Sequence, residues 1–244
     1  MIKLRWKDTW IEFERTEWSG TSNQCSRQIS FTLPNNPYNK EFQNVNIELG
    51  DLVYLYNDDK MFFVGTVTSR MKSAEIGPAE YVALDFMHHL LRSNATYKFK
   101  NTTPEKIVKK VCEDVGVKTK NLAKTNANIQ KMFVEDQCVY DIMIKAYRYA
   151  KLATGEKYMP MMDGTKVSVI AKGQSSNVVL EQGTNLISAS YSDTTDNMVN
   201  KVIIYNDKLK KLGQAQNKES ASKYGIYQQT YTKEKGVNAK SAAK

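Results

Sequence analysis

Polar and apolar residues alternate along the first part of the chain. In 25–33, Cys25, Ile29, Phe31 and Leu33 share one parity, and Ser26, Gln28, Ser30 and Thr32 hold the other, with Arg27 a misfit on the apolar side. A period of two places such sets on opposite faces of a half-buried strand. Pro34, Asn35, Asn36 and Pro37 stop it, since proline removes a ladder donor and asparagine favours turns. LVYLY (52–56) and MFFVGTVTSRM (61–71) flank the polar turn 57–60 and predict a hairpin. After Gly77-Pro78, EYVALDF puts Val82, Leu84 and Phe86 on one side. Short strands with turns between them predict a barrel or sandwich over 1–97.

The period then changes. MHHLLRSN, from Met87, predicts a short helix, and Thr102, Thr103, Pro104 and Glu105 open a longer one. Thr102 and Glu105 have capping-box spacing, and proline is preorganised for the first turn. Ile107, Val108, Val111, Cys112 and Val115 follow at helical intervals up to Gly116. A second stripe, Val139, Ile142, Met143, Ala146, Ala150 and Ala153, predicts a helix over 139–153 closed by Gly155. The β pattern returns in a hairpin over 157–171, where Asp163-Gly164 suits a type I′ turn. Strands are expected over 185–192 and 198–206. After Asp207 the chain reads as a basic linker, with one strand-like run over 224–232 and the opening of a helix in 236–244 that continues past Lys244.

The expected class is therefore α+β, mainly β: a first β domain over 1–97, a helical insert over 98–155, a second and incomplete β domain over 156–207, and a basic arm over 208–244. Charge follows this division. The net charge of +9 resides in 98–151 and 208–244, and the strand-rich parts are slightly acidic. Such asymmetry suits a solvated helix face with a polar tail, or contact with nucleic acid or an acidic partner. Three cysteines at spacings of 87 and 26 make neither a disulfide framework nor a metal motif. No apolar run reaches the ~18–20 residues of a membrane span, and MIKLRWKDTW lacks the apolar stretch of a signal peptide. Production in a cytoplasm without membrane insertion is expected.

Candidate chemistry is sparse. His88 and His89 are the two histidines, and helix neighbours point ~100° apart, which does not converge on one metal. Nucleophile-elbow, P-loop, dinucleotide and zinc-protease motifs are absent. Cys112 lies on an apolar stripe, and Cys25 is inward by parity. Carboxylate pairs for glycoside hydrolysis are Asp58/Asp59, Glu113/Asp114 and Glu135/Asp136, adjacent residues in turns or on helix surfaces. Residues 208–235 hold seven lysines with Tyr224, Tyr227 and Tyr231, but the chain has no Arg after Arg148, and nucleic-acid recognition favours the arginine fork. No nucleic-acid contact is required by this pattern. No catalytic, metal or cofactor-binding residue is assigned. Ile226, Tyr227 and Tyr231 form a strand-like run in a polar tail, as strand addition to another sheet would need.

Six segments, in order, resemble the hub family of contractile phage tails and phage-tail-like bacteriocins, especially the defective-prophage hubs of Gram-positive bacteria: EWSGTSNQCSRQISFTLPNNP, ELGDLVYLYNDDKMFFVGTV, ATYKFKNTTPEKIVKKVCEDVGV, VYDIMIKAYRYA, GEKYMPMMDGTKVSV and NLISASYSDTTDNMVNKVIIYND. The resemblance implies two tail-tube-like β domains around a helical element. It implies a homotrimeric ring of pseudo-sixfold character between a tail tube protein and a spike protein, alongside other baseplate proteins. The implied role is a virion structural one in the tail baseplate, assembled in the bacterial host cytoplasm, without enzymatic activity or cofactor. A tail-borne cell-wall hydrolase or carbohydrate-binding module is the alternative expectation.

Overall fold

The early alternation folds into one antiparallel sheet. The computed structural model describes residues 1–20, 25–41, 43–72, 76–173 and 179–232. The sheet contains β1 (Ile2–Trp6), β2 (Thr9–Ile11), β3 (Arg15–Ser19), β4 (Gln28–Leu33), β5 (Leu52–Asn57), β6 (Lys60–Lys72) and β7 (Ala79–Leu84), in the order β2-β1-β5-β6-β7-β4-β3. The long β6 curls it: residues 60–66 pair with β5, residues 66–72 pair with β7, and the register shifts between Val67 and Ser69. A bulge of this kind bends a strand and raises its twist. Ile29, Phe31 and Leu33 point into the core with Leu4, Val53, Leu55 and Val67. Arg27 fits no strand parity because β4 starts one residue later. In β7 the inward set is Ala79, Tyr81 and Ala83, opposite to the Val82 side. Tyr81 lies across from Phe31 in register and stacks on it with ring centroids 5.1 Å apart, so aromatic pairing sets the buried face.

A second core follows in the same compact unit, Met1–Lys172. It is built by α1 (Met87–Arg92), β8 (Asn94–Thr102), α2 (Pro104–Asp114), β9 (Thr119–Leu122), β10 (Ile129–Cys138), α3 (Val139–Thr154), β11 (Tyr158–Asp163) and β12 (Lys166–Ala171). The predicted stripes of α2 and α3 are buried except at their ends, where Val115 is half-buried and Ala153 exposed, and they pack with Met132, Val134, Val167 and Val169. The N-cap of α2 is Thr103, whose hydroxyl accepts from the Lys106 amide. Glu105 does not close a capping box with Thr102. Its carboxylate accepts from the amide and hydroxyl of Thr125, at 2.5 and 2.8 Å, and ties the 123–128 loop to the helix. The β11–β12 turn uses Gly164 and Thr165, with positive φ at Gly164 alone, which fits a type II′ turn better than the expected I′.

Asp85 ties the two parts of this unit together. It is buried, its carboxylate accepts from the Ser26 hydroxyl (2.7 Å) and the Arg27 and Met87 amides (3.0 Å each), and its own amide donates to Arg27 O. Burial pushes its pKa up, against the lowering pull of those hydrogen bonds. A raised folded-state pKa gives stability that is present below the unfolded value and lost as pH rises through the folded one. Asp85→Ala is expected to cost about 2–3 kcal/mol by orphaning these donors. Asp85→Asn should cost most at acid pH, and less as pH rises through the carboxyl's titration. Urea melts of wild type and both variants between pH 4 and 7 check this.

The second unit, Gly173–Lys244, has β13 (Lys201–Tyr205), β14 (Lys211–Gln216), α4 (Lys218–Tyr224) and β15 (Gln228–Thr232). β13 is central, antiparallel to β14 and parallel to β15. The expected strand at 185–192 is not formed; an isolated bridge joins Gln182 and Leu186, and Ile187 is fully exposed. Among the described residues no strand pairs that segment beyond this bridge, and alternation alone does not make a strand. The expected helix at 236–244 lies outside the described residues. The expected boundaries at 155 and 207 fall within these units: β11 and β12 share the core of α2 and α3, and β14 to β15 share the sheet of β13.

Candidate assembly interface

Apolar side chains in the second unit are mostly unburied. Among its described apolar residues only Ile203 and Ile204 reach the buried state. Val199, Leu212, Tyr224, Ile226 and Tyr227 are exposed. A three-stranded sheet needs a covered apolar face to be stable alone, and two isoleucines are little cover. Ile226 is 60% and Tyr227 40% exposed. Tyr231 is half-buried on β15, opposite Ile204. Tyr231 lies on β15, and Ile226 and Tyr227 immediately precede that strand, in the segment that Asn200 fastens to the start of β13.

Buried Asn200 holds that strand. Its side chain accepts from the Tyr227 amide (2.8 Å) and donates to Gly225 O (2.7 Å) and the Ser220 hydroxyl (3.5 Å). Its backbone bonds Tyr227 O and the Asn217 amide. One residue thereby fastens the end of α4 and the start of β15 to β13. No pattern marks a lone asparagine between Val199 and Lys201 as a clasp. Asn200→Ala is expected to leave the Tyr227 amide and Gly225 carbonyl without these partners, at about 1–3 kcal/mol. Hydrogen exchange over 228–232 should quicken about tenfold or more while exchange over 104–115 stays unchanged.

The residues with chemical potential are placed apart. His88 and His89 follow one another on α1 with ring centroids 6.2 Å apart, and burial lowers the His88 pKa. Cys112 is fully buried, its thiol pushed up to about 12 by desolvation. Cys138 caps α3, its sulfur accepting from the Asp141 amide at 3.4 Å. Cys25 lies ahead of β4 and packs, half-buried, on the second core rather than inside the first sheet. Of the carboxylate pairs, Asp58 meets the N-terminal ammonium, Asp114 meets Lys110 and the Tyr97 hydroxyl, and Asp136 meets Asn94. A cleft of about 910 Å³ in the first unit is lined by Trp18, Phe62, Met61, Met161 and Met162. Its carboxylates are Asp85, held as above, and Asp163, ion-paired to Lys120 at 2.7 Å. Among the described residues there is no His, Cys, Asp and Glu grouping that could hold a metal, and no helix long and apolar enough to cross a membrane.

The YQBQ-like family model matches residues 16–244. The chain belongs to the YQBQ-like family. It is 28% identical over 239 residues to the phage-like element PBSX protein XkdQ of Bacillus subtilis, covering 95% of this chain and 72% of that one. It is also 28% identical over 235 residues to YqbQ of the same organism, covering 94% and 71%. Its fold resembles the prophage MuSo2 43 kDa tail protein of Shewanella oneidensis, with a TM-score of 0.76 at 16% identity over 99% of this chain and 75% of that one. A tail protein of Neisseria meningitidis gives 0.72 at 15%, over 98% and 72%. The mainly β fold with its curled sheet is thus the fold of these phage tail proteins.

Proposed function

We propose that the protein is the hub of a contractile-tail baseplate, a homotrimeric ring that joins the tail tube to the central spike and performs no catalysis. The carrying observation is the second unit, whose open three-stranded sheet leaves its apolar residues uncovered beside β15. In this reading each chain contributes two tail-tube-like domains, so three chains give a ring of six such domains. Closed rings are the usual way to bury matching edges. The edges of β14 and β15 take up strands from outside residues 1–232, and Ile226, Tyr227 and Tyr231 lie in the resulting contact. Assembly takes place in the host cytoplasm with tube, spike and other baseplate proteins.

The purified chain should therefore run at the mass of three copies in light scattering, or reach it on adding tube and spike proteins, and should capture both. A monomer that captures neither defeats the hub reading. A lysis zone on cell-wall zymograms, lost on substituting a single carboxylate or cysteine, would defeat the non-catalytic part.

A further inference from the structure

The outer face of the β8–β10 ribbon is basic with an aromatic centre. Strand alternation sends Tyr97 and Phe99 of β8, and Met132 and Val134 of β10, against the second core, and sends Lys98, Lys100, Lys131 and Phe133 outward. The register sets Lys98 opposite Phe133 and Lys100 opposite Lys131. Phe133 is 46% exposed, unusual for a large apolar side chain in the middle of a paired strand. The Lys131 and Lys98 ammonium groups sit over its ring, 4.7 and 5.3 Å from the centroid. Lys145 of α3 reaches in from the side and donates to Phe133 O at 3.3 Å. Among the described residues none of these four lysines is in an ion pair. Glu135 is the nearest acid of the same parity on β10, and it lies inside the register shift between Val134 and Gln137. The face keeps a clear positive excess.

We infer that this face docks an acidic protein surface, one that presents carboxylates spaced around a shallow apolar socket for the Phe133 edge. The ring geometry selects the partner class. Single-stranded nucleic acid binds through bases stacked on open aromatic faces, but two ammonium groups already sit over the Phe133 ring. The ring edge is the positive end of the aromatic quadrupole, where carboxylates that also pair with Lys98 and Lys131 are welcome. The cations are all lysine, point charges suited to carboxylates in several geometries and without the bidentate fork that guanidinium brings to phosphate. Outward residues two apart on a strand are ~7 Å apart, and facing residues on paired strands are ~5 Å apart. Acidic residues at alternate positions of a strand, or three to four apart on a helix, match that spacing. This face lies in the first unit, distant in sequence from Ile226, Tyr227 and Tyr231, and its role does not depend on ring formation.

Fluorescence anisotropy with a labelled oligoglutamate and a labelled oligothymidylate of equal length tests it on the whole chain. Oligoglutamate should bind with an affinity that falls as salt rises, and oligothymidylate should bind no more tightly. Lys98→Glu with Lys131→Glu should weaken oligoglutamate binding by about tenfold or more, because like charges now meet. Lys98→Gln with Lys131→Gln should weaken it less, and its unchanged melting curve excludes misfolding as the cause. The inference is overturned if the charge-reversed protein binds oligoglutamate as wild type does, since the basic 208–232 segment would then be responsible. It is equally overturned if oligothymidylate binds more tightly and Phe133→Ser affects it more, which would make this a nucleic-acid face.

Discussion

Val111→Asp is expected to abolish the native fold of the second core. Val111 is fully buried on α2, in one cluster with Ile107, Val108 and Cys112 of its own helix and Ile142, Met143 and Ala146 of α3. No cation lies among the members of that cluster. An aspartate there must either remain charged without a partner or take up a proton, and either course costs several kcal/mol. Whole domains are stable by only about 5–15 kcal/mol. The expected result is a melting temperature lowered by more than about 10 °C, or insoluble protein, with loss of the helical circular dichroism signal. Val111→Ala, which leaves a cavity and no charge, should fold at a cost of about 1–3 kcal/mol. A Val111→Asp protein that melts like wild type would show that this face of α2 is not a core.

Gly65→Ala is expected to be the second most damaging single change. Gly65 lies in β6 opposite Val53 of β5, one residue before β6 passes from β5 to β7. A Cβ built there would stand 2.5 Å from the carbonyl oxygen of Leu84 and 2.8 Å from its carbon. These are backbone atoms of a paired strand, unable to swing aside as a side chain would. The Phe63 ring, at 2.6 Å, adds a second clash. Relieving both means opening the sheet where it curls, at about 3 kcal/mol. For a unit of this size that is a fall of roughly 6–12 °C in melting temperature. Gly50, whose Cβ would meet nothing within 4 Å, has positive φ, so Gly50→Ala should cost about 1 kcal/mol from backbone strain alone. Similar melting points for the two variants would mean that β6 and β7 do not approach closely at Gly65.

Much of the architecture was legible because it is local. The 25–33 alternation, the 57–60 turn, and the stripes of α2 and α3 each depend on residues a few positions apart. The run from Tyr224 to Thr232 likewise reads as a strand, and β15 occupies its second half. The ribbon of β8 and β10 was missed although ATYKFK alternates cleanly; the neighbouring helical signals masked it. β10 is harder to see, since Ile129, Met132 and Val134 keep no single parity. β14 has no apolar face at all, with both sides exposed or half-exposed. Its strand exists because β13 offers it a hydrogen-bonding edge. The Asn200 clasp and the Phe133 face were equally invisible, since each joins residues tens of positions apart.

The sequence by itself determined the early strands, the two longer helices with most of their buried stripes, and the uneven charge. Period and capping act within one or two turns of chain, where neighbouring residues decide the outcome. Tertiary structure alone decided which face of β7 is buried, which strand adjoins β13, and that β11 and β12 complete the core of α2 and α3. Those choices turn on contacts between distant segments: the stacking of Tyr81 on Phe31, the parallel register of β15 on β13, and the packing of Val167 and Val169 beneath the helices. No spacing along the chain encodes such pairings, because many alternatives present the same local pattern and only the summed burial of the folded unit separates them.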